Sequence, residues 1–292
     1  MEKRNEEVIM KILLTGDKGF IGSHLKEYLP KDWQIYTYDL IMNGYSSPSM
    51  LFDDTFDWVL HMGGESSTTA ETQTVMELNY QYTKDLYQAC ANKQVNLIYA
   101  SSAGVYYEPN VEAPKSSYAA SKWLVDKYIK ETPISDIHCY GLRFFNVYGQ
   151  NEGHKGSQAS VFYKWKDEKQ IKLFSNSSSY SRDFIHVDDC CNVIRQLIID
   201  SKYVAQENGT IDVGTGNPVS FEEIAMEYSK VTGAKVKYIP MPEDLVQHYQ
   251  KYTCADTTRV LEILGKDYKF ITPHEYINGL RGRQRKKIKS NR

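Results

Sequence analysis

Apolar residues crowd into short runs that stop at glycine, serine or aspartate. Val8-Ile9-Met10-Lys11-Ile12-Leu13-Leu14-Thr15 ends at Gly16, and Gln34-Ile35-Tyr36-Thr37-Tyr38 ends at Asp39. Asp57-Trp58-Val59-Leu60-His61 ends at Gly63-Gly64, and Val95-Asn96-Leu97-Ile98-Tyr99-Ala100 ends at Ser101-Ser102. Runs of this length and β-branched content suit strands covered on both faces. Between them the period becomes helical: Phe20, Ile21, Leu25, Tyr28 and Leu29 share a face until Pro30 stops the pattern. Further helices are predicted around Glu71–Asn92 and over Ser117–Glu131, the second leading into a strand at Asp136–Leu142. Strands alternating with helices predict βαβ units and an α/β, doubly wound parallel sheet. Nothing repeats at a fixed period, which argues against a solenoid.

Beyond Gly149 the pattern changes. Residues 150–181 hold a Gly/His/Lys/Ser loop and the polar stretch Ser175-Asn176-Ser177-Ser178-Ser179, and Asp183–Asp200 returns to strand and helix. From about Asn217 helix alternates with connections at Pro240, Pro242 and Pro273. The division expected is a nucleotide-binding domain at 8–149 plus about 183–212, and a smaller mixed α/β substrate lobe at about 150–182 plus 213–280. A basic tail, 281–292, follows with seven positive charges, which reads as a solvated end.

Composition narrows the class. In 292 residues, 35 basic and 37 acidic side chains leave a net charge of −2, so nucleic acid is not an expected partner. No run approaches the ~20 apolar residues of a membrane span, and Met1–Glu7 lacks signal-peptide character, so a cytoplasmic protein is expected. Five cysteines (90, 139, 190, 191 and 254) contain no CxxC pair, which argues against a disulfide framework or a zinc site; no metal is expected.

Two constellations carry chemistry. The first strand runs into Thr15-Gly16-Asp17-Lys18-Gly19-Phe20-Ile21-Gly22. Glycine at 16, 19 and 22 permits a tight turn and lets a pyrophosphate approach a helix N-terminus, where free N–H groups favour anions. Asp39 closes the next strand 23 residues after Gly16, where a carboxylate can accept bonds from an adenosine ribose. Three glycines alone could be an ordinary turn; the order strand, glycines, helix, strand, acid predicts a Rossmann-type dinucleotide site. The second constellation is Ser102 at a strand end and Tyr118-Ala119-Ala120-Ser121-Lys122 opening a helix. The i, i+4 spacing puts Tyr118 and Lys122 on one face, where the ammonium is expected to lower the phenol's pKa toward that of a usable base. Tyr-x-x-x-Lys arises by chance in a chain with 23 tyrosines, so its position one helix after Ser102 is what makes it specific.

These residues resemble the extended short-chain dehydrogenase/reductases, the nucleotide-sugar epimerase and dehydratase group, and within it the ADP-heptose 6-epimerase branch. The likeness continues through Gly63-Gly64-Glu65-Ser66-Ser67-Thr68-Thr69, Asn79–Lys84, Tyr99–Ser102, Arg143–Gly149 and Glu152-Gly153-His154-Lys155-Gly156-Ser157. It extends to Lys172–Phe174, Arg182–Phe184 and Tyr238–Pro240, with the Gly-His-Lys-Gly-Ser loop as the discriminating motif. The resemblance implies one tightly bound NAD or NADP, with Phe20 and Ile21 over the pyrophosphate and Asp39 and Leu40 at the ribose. Gly63, Gly64, Glu65, Ser66, Asn79 and Val147 would line the cofactor channel, and Lys122 would bind the nicotinamide ribose. It implies Tyr118 and Lys155 as two catalytic bases with Ser102 polarising the reacting oxygen. Asn146, Ser157, Lys164, Phe174, Ser177, Arg182 and Tyr249 would hold an ADP-heptose-type nucleotide sugar, Arg182 at its diphosphate. It also implies a homo-oligomer, pentamer or dimer.

The chain departs from the branch at three places. Leu40 follows Asp39 with no lysine to meet a 2′-phosphate, which favours NAD; Lys164 stands where the branch has histidine; Ser175-Asn176-Ser177 also differs. Lys155 has to lose its proton to act as a base, which demands desolvation or nearby cations. The alternatives are a UDP-hexose 4-epimerase, which needs only Tyr118, another nucleotide-sugar epimerase or dehydratase, and a non-catalytic nucleotide-binding regulator. Ala103 and Gly104 occupy the positions of a 4,6-dehydratase's Asp-Glu pair, which disfavours that activity.

Overall fold

The computed structural model describes residues 9–39, 47–52, 55–68, 70–200, 208–243 and 249–280, all but the side chain of Ser157. The expectations for Leu40, the Ser157 side chain and the tail 281–292 lie outside what is described. Six strands make the central sheet: β1 (Lys11–Thr15), β2 (Gln34–Tyr38), β3 (Trp58–His61), β4 (Asn96–Ser102), β5 (Cys139–Phe144) and β6 (Gly209–Val213). All pairs are parallel and the order across the sheet is β6-β5-β4-β3-β1-β2. The chain therefore reverses direction of winding at β1, whose two neighbours are β2 and β3. A crevice opens at the carboxyl ends of strands at such a switch point.

Side-chain alternation along the strands builds two helical layers. Ile12 and Leu14 join Leu25 of helix α1 (Phe20–Tyr28) and Ile194 and Leu197 of α4 (Val187–Ile199) in one buried cluster. Leu13, between them, joins Val59, Leu97 and Cys139 on the opposite face. There the cover comes from Leu86 and Tyr87 of α2 and Val125 and Ile129 of α3 (Ser117–Glu131). Helix α2 is continuous through Thr72–Val75, a π-helical stretch Met76–Gln81 and Tyr82–Lys93. Helix α3 starts and stops where the sequence predicts, because the Ser116 hydroxyl accepts the Ala119 N–H at 3.1 Å and caps it.

A third cluster, around Tyr148, Phe162, Trp165, Ile171, Leu173, Phe184 and Ile224, packs the elements beyond Gly149. They include α5 (Phe221–Thr232) and the parallel ribbon Gln170–Phe174 with Lys235–Ile239. A second parallel ribbon joins Asn146–Tyr148 to Phe184–His186. Asp183, fully buried, ties these parts to the sheet: its carboxylate accepts from Thr215 N and Oγ1, Gly216 N and Ala255 N at 2.7–3.0 Å. Strand β5 runs to Phe144, two residues past the expected end. Arg143 hides that continuation, because its charge is buried by pairing with Asp126 at 2.8 Å and Glu112 at 2.7 Å.

Candidate active site

The loop after β1 turns at Gly16, whose φ of +75° and contact with the Gly63 backbone leave no room for a side chain. Helix α1 begins at Phe20 with Gly19 as an N-cap that makes no side-chain bond, so the amides of its first turn face the crevice at the switch point. Gly22 packs against the Gly16 carbonyl so closely that a Cβ there would collide with it. Glycines that bring backbone this near, at an N-terminus without a capping side chain, fit a dinucleotide pyrophosphate. Asp39, buried at the end of β2, stands beside this loop, since Gly16 N–H donates to the Tyr38 carbonyl at 3.0 Å. Ile21 and Val147 mainly pack against the core, and Ser66 is exposed.

The far wall comes from α2. Asn79 is fully buried on the π-helical stretch and clamps the Gly63-Gly64-Glu65 loop. Its Oδ1 accepts the Glu65 N–H at 2.9 Å, and its Nδ2 donates to the Glu65 carbonyl at 2.9 Å and to Ser121 Oγ at 3.1 Å. The Glu65 carboxylate turns back to accept the Ser67 N–H at 2.7 Å. A π turn re-aims side chains within an otherwise regular helix, and it delivers Asn79 here.

Ser102 ends β4, and its hydroxyl accepts the Gly104 N–H at 3.0 Å and bonds with Tyr118. Lys122, one turn along α3 from Tyr118, donates to the Ala100 carbonyl at 2.9 Å. Burial brings the Lys122 ammonium down to about 8, opposed by the charge of Asp126. The expected depression of the Tyr118 phenol is not found. Burial pushes it above its ordinary value and the Ser102 bond works against that, while the Lys122 ammonium is directed at the Ala100 carbonyl. Reversing the direction requires a charge brought nearer the phenol than this arrangement provides.

Lys155 approaches from the other side, its Nζ lying 4.3 Å from the centre of the Phe20 ring at the start of α1. It pairs at 2.9 Å with Glu152, a fully buried acid that the sequence reading passed over. The signal was present in the spacing: Glu152 immediately precedes the 3₁₀ segment Gly153–Gln158, and Lys155 follows it by three residues. Lys164, exposed on the short helix Val161–Lys164, is lowered by burial, then by the Lys155 charge, with Glu152 opposing, so the two lysines share one electrostatic neighbourhood.

A third group gathers the aromatic candidates. The Arg182 guanidinium lies between the rings of Phe221, at 5.4 Å, and Tyr249, at 5.1 Å. Tyr249 packs edge-on to Phe174 and Tyr180. Among the described residues no carboxylate pairs with Arg182, and burial lowers its pKa. Ser177 Oγ is buried, and among the described residues it finds no hydrogen-bond partner. A cation that among these residues bonds only a backbone carbonyl, flanked by aromatic rings and without a described carboxylate partner, suits an anionic ligand. Asn146 presents an exposed side chain at the start of its ribbon.

The sheet order, the glycine loop and the Ser-Tyr-Lys set are those of the extended short-chain dehydrogenase/reductase fold. The chain belongs to the NAD dependent epimerase/dehydratase family, whose match covers residues 12–214. Among solved structures it is similar to the ADP-L-glycero-D-manno-heptose-6-epimerase of Helicobacter pylori, at 27% identity and a TM-score of 0.78, over 92% of this chain and 94% of that one. It also resembles the UDP-N-acetylglucosamine 4-epimerase of Methanobrevibacter ruminantium (23% identity, TM-score 0.77, 92% and 97% covered). The UDP-glucose 4-epimerase of Thermotoga maritima shares the fold at 19% identity and a TM-score of 0.75, with 96% and 100% covered. No helix among the described residues is long and apolar enough to cross a membrane.

Proposed function

We propose that the chain converts ADP-D-glycero-D-manno-heptose to its L-glycero epimer by transient oxidation at C6″. Two placements support this reading, each bringing a side chain that can exchange a proton toward the loops at the carboxyl ends of the sheet. Tyr118 bonds to Ser102 on one side, and Lys155 lies against Phe20 on the other. A bound nicotinamide dinucleotide, retained between turnovers, supplies the hydride acceptor and returns the hydride. Asp39 at the end of β2 favours a free ribose hydroxyl, hence NAD. Lys122 orients the nicotinamide ribose, Ser102 holds the reacting oxygen, and Tyr118 takes the hydroxyl proton in the first pose. Lys155 serves the same oxygen after the C6″ carbonyl group has turned about the C5″–C6″ bond. Arg182 meets the diphosphate, and Phe174, Ser177 and Tyr249 enclose the nucleotide, with Asn146 and Lys164 at the sugar. The deciding experiment is incubation of the purified protein with ADP-heptose and resolution of the C6″ epimers by NMR. Conversion supports the reading. Absence of conversion together with interconversion of UDP-hexose C4 epimers replaces it with the one-base 4-epimerase, and no turnover of either would leave a nucleotide-binding regulator.

A further inference from the structure

Glu152 is fully buried, and its carboxylate is among the most thoroughly satisfied of the described residues. Its Oε1 accepts from Gly149 N at 3.2 Å and Ser160 Oγ at 2.6 Å. Its Oε2 accepts from Ser160 N at 2.7 Å and Lys155 Nζ at 2.9 Å. The Lys155 N–H also donates to the Glu152 carbonyl at 2.9 Å, so the pair is joined through backbone and side chain. A carboxylate with no exposure costs several kcal/mol unless its partners compensate, and three of its four partners are neutral groups of the loop ends. The fourth is an ammonium that keeps a fifth of its own side-chain surface exposed. This is a fixed anchor holding a reaching arm: the loop ends at Gly149 and Ser160 are clamped, and Lys155 projects from the clamp onto the Phe20 ring.

We infer that Glu152 is the positioning residue for Lys155, fixing its Nζ at the crevice as the ammonium half of an ion pair so that Lys155 enters the cycle as proton donor. This rests on the proposed function. In the donating step the Nζ–H bond breaks, its electron pair stays on nitrogen, and the substrate oxygen gains the proton in a new O–H bond. Lys155 then recovers a proton from solvent. The other charged or titratable groups around Lys155 are Lys164 on the neighbouring short helix, His154 beside it, and His24 of α1, which packs edge-on behind Phe20. Lys164 repels the ammonium and cannot replace Glu152 as its partner.

The test begins without substrate. Purified wild-type protein, Glu152→Gln and Glu152→Asp are treated with dilute acetic anhydride, and acetylation of Lys155 is read by mass spectrometry against exposed Lys127 in the same digest. Loss of one charge-assisted bond should speed Lys155 acetylation by about tenfold in Glu152→Gln. Glu152→Asp, which keeps the charge, should restore most of the protection. Equal rates in wild type and a folded Glu152→Gln overturn the inference. Should Glu152→Gln not fold, Ser160→Ala loosens the clamp while keeping the carboxylate; a rise in Lys155 acetylation then supports the inference and an unchanged rate overturns it. With ADP-heptose, Glu152→Gln should lose about a hundredfold in kcat with KM held within about threefold, the pattern of a misplaced group rather than of weakened binding. A wild type that converts no ADP-heptose refutes the proposed function, while the acetylation ratios still decide the placement of Lys155.

Discussion

At the scale of single side chains, the two groups proposed for proton transfer are held in opposite ways. Tyr118 is a half-buried phenol whose pKa is raised, with a hydroxyl bond to Ser102, whereas Lys155 is the outer member of an ion pair. Removing either should affect catalysis and leave the cofactor in place. Tyr118→Phe and Lys155→Met are each expected to lower turnover of ADP-heptose by about 10³-fold. Nucleotide released by heat from each variant should match wild type in amount, which reports intact cofactor binding. An active Lys155→Met variant would instead favour the one-base alternative. A separate expectation attaches to His61, which bridges Thr15 Oγ1 at 2.6 Å and Thr83 Oγ1 at 3.1 Å inside the sheet. Burial, and after it the charge of Lys122, lowers His61 from 6.5 to about 3. The unfolded chain therefore holds a proton that the folded chain lacks between those two values, and stability falls as pH drops through that window. Urea titrations should show His61→Gln losing much of this acid dependence between pH 6.5 and about 3, and an unchanged slope would assign it to other groups.

At the scale of elements, what was legible depended on whether polarity tracked exposure. Helix α3 was readable to the residue because Ser116 caps it and its apolar face alternates regularly. Ser116→Ala should cost about 1 kcal/mol in equilibrium unfolding. The glycine loop was readable because only glycine tolerates the approach of Gly16 to Gly63 and of Gly22 to Gly16. Gly22→Ala forces a methyl onto the Gly16 carbonyl; an expected loss of about 2–3 kcal/mol should be accompanied by protein purified without nucleotide. The end of β5 was not readable, since Arg143 looks like a surface residue until Asp126, Glu112 and Tyr106 are seen around it. Nor did any pattern announce the π turn that aims Asn79, or the clamp of Glu152 on both ends of its loop. Asn79 and Arg143 depend on partners far along the chain, and the Glu152 clamp, though local, lies in a loop where no hydrophobic period marks it. The Tyr118–Lys122 spacing was legible but its electrostatic consequence was not, because the Ala100 carbonyl that captures Lys122 comes from another strand.

At the scale of the whole molecule, the sheet supplies fixed geometry and the parts beyond Gly149 carry most of the side chains proposed to meet the substrate. Asp183 and the Arg143 network join the two: Tyr106 bonds Arg143 and Asp212, while Gln250, beside Tyr249 of the aromatic cage, donates to the Tyr106 carbonyl. A nucleotide held at Arg182 is thus connected through packed, bonded residues to the helix carrying Tyr118. The residues proposed for reaction all precede the basic tail, so deleting 281–292 should leave kcat and KM for ADP-heptose unchanged; a large rise in KM would assign the tail to diphosphate binding. The same division of labour bears on the path of the hydrogen. In the proposed reaction a dinucleotide bound at the glycine loop would be held by the sheet, so hydride would leave and return from one direction only. Inversion then requires the sugar to change the face it presents, and the oxygen must find a proton-transfer group in each pose within hydrogen-bond reach of about 3 Å. In the proposed mechanism Tyr118 and Lys155 would meet that need without any proton being taken from carbon. Turnover in deuterium oxide should accordingly yield epimerised product with no deuterium on C6″ by mass spectrometry, because the carbon-bound hydrogen never exchanges with solvent. Deuterium at C6″ would mean that a base of this chain removes a proton from carbon, and Tyr118 and Lys155 would then face each other across a carbanion instead of serving one oxygen in two positions.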